Sequence, residues 1–374
     1  MIGFTNPLAG ALDLSFGLIT LLILGGYALV VRSWIKRWKQ VPDRPWSIVE
    51  PERAGLTAII PCRNEAANLA HLLDDLSRQT LSIQAIVVDD GSDDETIQIA
   101  QKAGVTVIRS PSPGKKSALL AGIEHAQTEW VATLDADVRI GTKWAEAMVM
   151  AAVVEEASAV IGSVVIVPHK SPWDRFQALE YGAMMLWIGG GVDAKGLAMG
   201  SGANLLFKRE KYPIHSLMLS VASGDDSFAL EAIRKNKGRL VWQGDHRARA
   251  LTSGVHSWPE IWRQRGRWAS KSTHLKDAES KRIAVMIGTV QSALIVWVLI
   301  AIFSWNTFVS FAVLTLWLMK AAIDCYLLRM VSTAFNIPVK KRDYFEFTPR
   351  YLTLVFGAWI TILRRKVVWK GRPI

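Results

Sequence analysis

Carboxylates gathered in short clusters, each directly after an apolar run, are the side chains here best suited to chemistry. Asp89-Asp90-Gly91-Ser92-Asp93-Asp94 and Asp135-Ala136-Asp137 together hold six acidic residues, and Cys62-Arg63-Asn64-Glu65 forms another polar cluster upstream. Carboxylates that converge on one crevice repel unless a cation or hydrogen-bond donors offset them. An all-oxygen donor set with a phosphate ligand nearby favours Mg²⁺ or Mn²⁺. Gly114-Lys115-Lys116 adds a phosphate-binding element, because a helix start presents backbone N–H groups and here a lysine as well. Its spacing is not that of a P-loop, so no ATPase is implied. Singly these signals are weak: an Asp-x-Asp triplet is commonly a solvated turn, and Asp89-Asp90-Gly91-Ser92 can serve only to cap a helix. The seven histidines are scattered without metal-ligand spacing. Two cysteines exclude a disulfide scaffold and a multi-cysteine zinc module.

Alternating strands and helices must position the clusters. Residues 56–60, 85–88, 105–108 and 130–134 read as short strands. Asn64 is placed to cap a helix carrying Leu69, Leu72, Leu73 and Leu76 on one face. Ser92 or Asp93 is placed to cap a second helix that stops at Gly104, and Leu119, Gly122, Ile123 and Ala126 share a face of a third over 115–126. Such alternation specifies a Rossmann-like α/β domain with a mostly parallel sheet covered by helices on both faces. Ligands of such sheets bind beyond the carboxyl ends of the strands, which is where the polar clusters lie.

Half of the 374 residues are apolar and only 21% are charged, which excludes a disordered chain. The net charge of +11 suits nucleic acid, an anionic membrane surface or phosphorylated ligands. The basic residues flank long apolar runs, which favours the membrane and argues against nucleic acid. Residues 14–31 are an 18-residue uncharged stretch followed by Arg32, Lys36, Arg37 and Lys39. They read as an uncleaved anchor, with the chain from residue 32 onward in the cytoplasm. Residues 283–305 and 307–328 are expected to leave the cytoplasm and return. The second of these carries Lys320 and Asp324, four apart on one helical face. An intramembrane pair is a default functional site; the alternative is local neutralisation, with the lysine reaching for the headgroups. Residues 351–363, thirteen in number with basic residues at both ends, suit an interfacial or re-entrant helix. Residues 172–191 read as either a surface-lying segment or a buried helix, with glycines 189–191 as a flexible joint.

The expected organisation is therefore an anchor over 1–32, a linker over 33–55, and an α/β domain with interfacial helices over 56–282. A membrane hairpin over 283–328 and a cytoplasmic or interfacial segment over 329–374 follow.

Six stretches then occur in a telling order. They are Ile59-Ile60-Pro61-Cys62-Arg63-Asn64-Glu65, Val87-Val88-Asp89-Asp90-Gly91-Ser92-Asp93-Asp94-Glu95-Thr96, Gly114-Lys115-Lys116, Leu134-Asp135-Ala136-Asp137, Ser223-Gly224-Asp225-Asp226 and Gln264-Arg265-Gly266-Arg267-Trp268. In this order they resemble the membrane-bound members of the large family 2 of inverting glycosyltransferases with the GT-A fold. That family includes cellulose, chitin and hyaluronan synthases and ceramide glucosyltransferases. The resemblance covers residues 56–270 and implies roles. Asp89 or Asp90, with the loop around Glu65, would hold the nucleoside of the donor. Asp137 and Asp135 would bind the metal that bridges the diphosphate, with Lys115 adding charge there. Asp226 aligns with the catalytic base; Asp225 stands where many members carry Glu, which leaves the base open between the two neighbours. Gln264, Arg267 and Trp268 match the Q-x-x-R-W motif beside the diphosphate and acceptor, where Arg suits phosphate oxygens and Trp a sugar face. The plainer reading of Arg267-Trp268 is an interfacial anchor, because Trp258, Trp262 and Trp268 lie among Arg263, Arg265 and Lys271.

The resemblance implies a multi-pass enzyme of the cell (inner) membrane with a cytoplasmic catalytic domain. It would use a nucleotide-sugar donor, with a UDP-sugar expected, Mg²⁺ or Mn²⁺, and a lipid or growing glycan acceptor. Membrane lipids are expected partners, nucleic acid is not, and a partner subunit is left open. Two alternatives compete. A polyprenyl-phosphate sugar synthase is disfavoured by the late Asp225-Asp226 and Q-x-x-R-W motifs. A non-catalytic membrane scaffold is disfavoured by the intact acidic clusters, which are costly to keep without a role.

Overall fold

Short β-rich runs that are buried on both faces assemble the sheet that carries the site. The computed structural model describes residues 7–44, 55–168, 171–194, 196–214, 224–270, 277–304, 306–364, 368–369 and 372–373. Part of the expected linker, Ser223 and Lys271 lie outside these residues. Helix α1 (Pro7–Trp38) precedes the α/β domain. The domain then runs β1 (Leu56–Cys62), α2 (Leu69–Ser77), β2 (Ile83–Asp89), α3 (Thr96–Lys102), β3 (Thr106–Arg109), α4 (Lys115–His125) and β4 (Trp130–Thr133). It continues through β5 (Arg139–Ile140), α5 (Trp144–Val154), β6 (Ala159–Gly162), β7 (Val164–Ile166), α6 (Pro172–Asp193) and β8 (Leu205–Lys208). Helix α7 (Asp225–Lys235), β9 (Leu240–Gln243), β10 (Ala250–Thr252) and α8 (Trp258–Ser270) complete it.

The main sheet has seven strands in the order β3-β2-β1-β4-β8-β6-β9. β1, β2, β3 and β4 are mutually parallel, and β8 runs antiparallel between β4 and β6. A second sheet, β5-β10-β7, packs beside it. The expected alternation of strand and helix and the mostly parallel sheet are present. β1 continues through Pro61, two residues past the end of its pairing with β4 at Ile59. The missing proline N–H is tolerated there because the ladder on that side has already ended.

Helix α6 is the axis of the domain. Ser171 caps it, accepting from Asp174 N–H at 3.2 Å, and Pro172 occupies its first turn. It is a buried helix, so the flexible joint expected at residues 189–191 does not exist. Its glycines are spacers instead: a Cβ on Gly189 would lie 2.6 Å from Trp242, and one on Gly190 would lie 2.8 Å from the backbone nitrogen of Trp38. Only glycine lets α1 and Trp242 approach α6 so closely.

Three helices are long and apolar enough to cross a membrane, by length and composition: 15–38 within α1, α9 (Ala278–Ser304) and α10 (Thr307–Phe335). Helix α11 (Lys341–Leu363) is not among them and lies along α8. Gly266 and Gly357 face the opposite helix here, at Thr361 and Trp262. Lys320 and Asp324 do neutralise each other locally, but Lys320 does not reach outward toward the headgroups. It is fully buried, with Nζ 2.7 and 2.6 Å from the two oxygens of Asp324. Asp324 also accepts from Tyr27 Oη of α1 at 2.8 Å and Thr348 Oγ1 of α11 at 2.7 Å. The ion pair thereby joins three helices through one carboxylate.

Removing one member strands the other charge in an apolar interior. Asp324→Ala is expected to cost about 3–5 kcal/mol. Replacing both, Lys320→Met with Asp324→Leu, is expected to cost less than the single change. Thermal unfolding of the full chain in detergent micelles compares them; an equal loss for the two variants contradicts the ion-pair account.

Candidate active site

The carboxyl ends of β1 and β2 lie side by side, and their loops are built from each other's side chains. Asn64 adopts a left-handed conformation, φ 54°. Its N–H donates to Ser92 Oγ at 3.0 Å and its Oδ1 accepts from Asp93 N–H at 2.8 Å. Glu65 N–H donates to Thr96 Oγ1 at 2.8 Å, and Ala66 N–H to Asp94 Oδ2 at 3.0 Å. The expectation that Asn64 and Ser92 or Asp93 cap the following helices is therefore corrected. Both helices begin later, and the Asn64 and Ser92 side chains bridge between the two loops instead of within one.

Asp89 is buried, and its two oxygens accept from Gly91 N–H at 3.1 Å and Ser92 N–H at 3.0 Å. Asp90 is buried too, and its Oδ1 accepts from Gly114 N–H at 2.9 Å. Burial pushes the Asp90 carboxyl up, the Gly114 bond and the Arg63 charge oppose this, and Asp89 adds to it. Asp90 thus fixes Gly114, whose φ of 121° is open to glycine, at the start of α4. The next residue, Lys115, puts its Nζ 2.5 Å from Asp135 Oδ1. One chain of contacts therefore runs from the end of β2 through the start of α4 to the end of β4.

Asp137 follows in the same turn, with Thr252 Oγ1 at 3.5 Å. Its outer face meets solvent, but the cleft walls around the carboxyl push its pKa up to about 6. Asp135 and Glu65 add to the shift, and Lys115 opposes it. Three carboxylates therefore share one local field. Among the described residues no three His, Cys, Asp or Glu side chains form a ready-made metal-ligand group. That donor set fits a cation that takes one or two carboxylates and completes its shell with diphosphate oxygens.

Across the cleft, Gly224 (φ 90°) starts α7, and Asp226 lies in its first turn. Asp226 Oδ1 accepts from Ser227 N–H at 2.6 Å and Ser227 Oγ at 3.0 Å. The helix start stabilises the ionised carboxylate. Asp225 opens the same helix; its side chain lies outside the described ones. Helix α8 carries Gln264, Arg267 and Trp268. It is anchored by Arg265, whose guanidinium donates to Glu180 of α6 at 2.6 and 3.0 Å and lies 4.3 Å from the centroid of the Trp268 ring. Tyr181 packs against Trp268 with ring centroids 5.4 Å apart. Burial pushes the Tyr181 hydroxyl up to about 12, so it stays a neutral donor, bonded to Ser201 Oγ at 3.2 Å.

These elements enclose a cavity of about 630 Å³. Glu65, Lys115, Asp135, Asp137, Asp226, Gln264, Arg267 and Trp268 line it together. Asp89 and Asp90 do not; they shape the loops behind it. Glu180 and Tyr181 in this wall carry no local sequence signal, because their significance arises only when α6 meets α8. Arg63, to which the sequence motif assigns no role, lines the cavity with buried Nε and Nη1 atoms that have no hydrogen-bond partner among the described residues.

Residues 57–212 match the family model described as Glycosyl transferase family 2. The chain is 40% identical over 89 residues to the 4,4'-diaponeurosporenoate glycosyltransferase of Staphylococcus aureus, which is 22% of this chain and 24% of that one. The match thus spans about a quarter of the length of those curated relatives. The mannosyltransferase PcManGT from Pyrobaculum calidifontis, solved in complex with GDP-Man and Mn²⁺, superposes with a TM-score of 0.55 at 17% identity. That likeness covers 94% of this chain and 98% of the other, and it is a likeness of fold. The chain carries a glycosyl transferase family 2 domain over residues 57–212, on a GT-A-like α/β fold flanked by apolar helices.

Proposed function

We propose that this chain is an inverting glycosyltransferase that moves a sugar from a nucleotide-sugar donor to a lipid or growing glycan at the cytoplasmic face of the membrane. The observation that carries the reading is the convergence of Asp135, Asp137 and Lys115 with Asp226 and the Gln264, Arg267, Trp268 set in one cavity. A UDP-sugar is the first donor to test and GDP-mannose the second.

The residues divide the work. Glu65 and Arg63 line the nucleoside side. Lys115, Arg267 and Gln264 offer cationic and hydrogen-bonding groups to the diphosphate. Asp137, with Asp135, would hold Mg²⁺ or Mn²⁺, which when bound supplies positive charge to the leaving diphosphate. Asp226 is the proposed base. As the acceptor hydroxyl oxygen forms its bond to the sugar C1, its proton passes to the Asp226 carboxylate. The bond between C1 and the diphosphate oxygen breaks on the opposite side, and its electron pair leaves with the nucleoside diphosphate. Asp89 and Asp90 act by holding the loops. Transfer proceeds with inversion because the entering and leaving oxygens lie on opposite faces of C1.

Asp226→Asn is expected to lower transfer by about 10²–10⁴-fold while UDP affinity changes little. Nucleoside diphosphate release and calorimetric UDP binding measure the two. Full turnover in this variant would overturn the base assignment, and no release from wild type with any donor would overturn the transferase. A second outcome concerns pH. Asp137 must be ionised to hold a cation, so Mn²⁺-dependent UDP binding is expected to weaken as pH falls through about 6. Because Lys115 holds the Asp137 pKa down, Lys115→Met is expected to move that loss to higher pH. A pH-independent affinity between 7 and 5 would contradict both.

A further inference from the structure

The cavity does not end at the acidic cluster. From Asp226 and Trp268 its wall continues through Met184 of α6 to Ile283, Ala284 and Ile287 of α9 and Leu354 and Trp359 of α11. Its polar end is made by the α/β domain, and its apolar end by helices outside it. Helix α9 is one of the three with the length and composition of a membrane span, and the lining residues occupy its first turns, directly after Lys281 and Arg282. Basic residues before an apolar span mark the headgroup level. The apolar end of the cavity therefore coincides with the bilayer boundary that the sequence defines.

The gap between α9 and α11 has a defined edge. Gly288 lets the Trp359 ring lie against α9, since a Cβ there would sit 2.8 Å from Trp359 Cζ2. Trp359 is 38% exposed, and Ala284 is exposed while lining the cavity. Both therefore stand at the mouth. The wall from residue 283 to 288 is about 7.5 Å long at ~1.5 Å per residue. This is too short to enclose a whole lipid chain, so the remainder of such a chain must lie outside the protein.

Resting on the transferase reading, we propose that this apolar end is the acceptor subsite for a membrane lipid. The lipid enters sideways between α9 and α11, past Ala284 and Trp359, and its nucleophilic end reaches Asp226. A growing glycan is the poorer occupant, because its hydroxyls would be left unpaired against Ile283, Ile287 and Leu354. This selects the lipid from the two acceptor classes left open above.

The test is photolabelling of the full chain in phosphatidylethanolamine–phosphatidylglycerol vesicles with a long-chain alcohol carrying a mid-chain diazirine. Label is expected in the peptides containing residues 283–288 and 354–359. Ala284→Trp fills the mouth and is expected to weaken that labelling by about ten-fold. Trp359→Ala widens the mouth and is expected to keep or raise the labelling. Val285→Trp, on the outward side of α9 where Val285 is 68% exposed, is the control and is expected to change nothing. UDP binding by each variant verifies that it is folded. Label confined to outward residues such as Leu18, Leu22 and Phe308, or equal loss in Ala284→Trp and Val285→Trp, overturns the proposal. Transfer to a soluble oligosaccharide that is unaffected by Ala284→Trp also overturns it. Failure of the transferase reading is seen separately, as no nucleoside diphosphate release by wild type, and leaves the labelling result interpretable.

Discussion

Crowding carboxylates into a cleft that partly excludes water is the constraint around which the rest of this molecule is arranged. Burial raises the cost of ionising Asp137, and the neighbouring Asp135 and Glu65 add to it. The chain offsets this with fixed donors instead of free ones. Asp89 accepts from the amides of its own loop, Asp90 from the Gly114 amide, and Asp135 pairs with Lys115. The Asp90 and Asp135 contacts each require a strand end and a helix start to be in register, so the electrostatics of the site depends on the order of the parallel strands. Asp137 is left with a raised pKa.

The helices outside the α/β domain are fastened to it by close packing and by ion pairs. Glycines of α6 admit Trp38 and Trp242. Arg44, just after α1, donates to Asp193 at 2.9 and 3.0 Å, to Glu155 at 3.0 Å and to the carbonyl of Trp242 at 2.7 Å. The Lys320–Asp324 pair then binds α1, α10 and α11 through Tyr27 and Thr348. A buried pair of this kind adds little net stability compared with apolar packing, but it tolerates only one arrangement of its partners. It therefore holds α11, which forms one wall of the cavity, at a fixed position relative to the other helices.

One consequence is a site that changes character along its length. Its acidic and cationic end is made by strand termini, and its apolar end is made by helices α9 and α11, the latter packed against both α6 and α8. Arg265 is central to this arrangement. By bonding to Glu180 and lying against Trp268, it sets the face that α8 presents to the cleft.

Local physics is legible in the sequence where it is repeated or periodic. Apolar runs punctuated by Gly and Asp give β1 to β4 and α4 to within a few residues, and the polar clusters could only lie at their carboxyl ends. Uninterrupted apolar runs gave the three long helices for the same reason. What the sequence leaves undetermined is any property that depends on which surfaces meet. Asn64 and Ser92 have the chemistry of caps, yet they bridge two loops because β1 and β2 are neighbours. Glycines 189–191 read as a hinge, yet they are contact points, because a missing Cβ means freedom in solution and closeness in a packed interior. Lys320 read first as a side chain reaching for the headgroups, yet it is buried against Asp324, where Tyr27 and Thr348 from distant helices close the pair in. Spacing along the chain encodes the elements and the chemistry each can offer; only their packing decides which groups share a dielectric, a proton or a wall, because those depend on distances in space that no local pattern records.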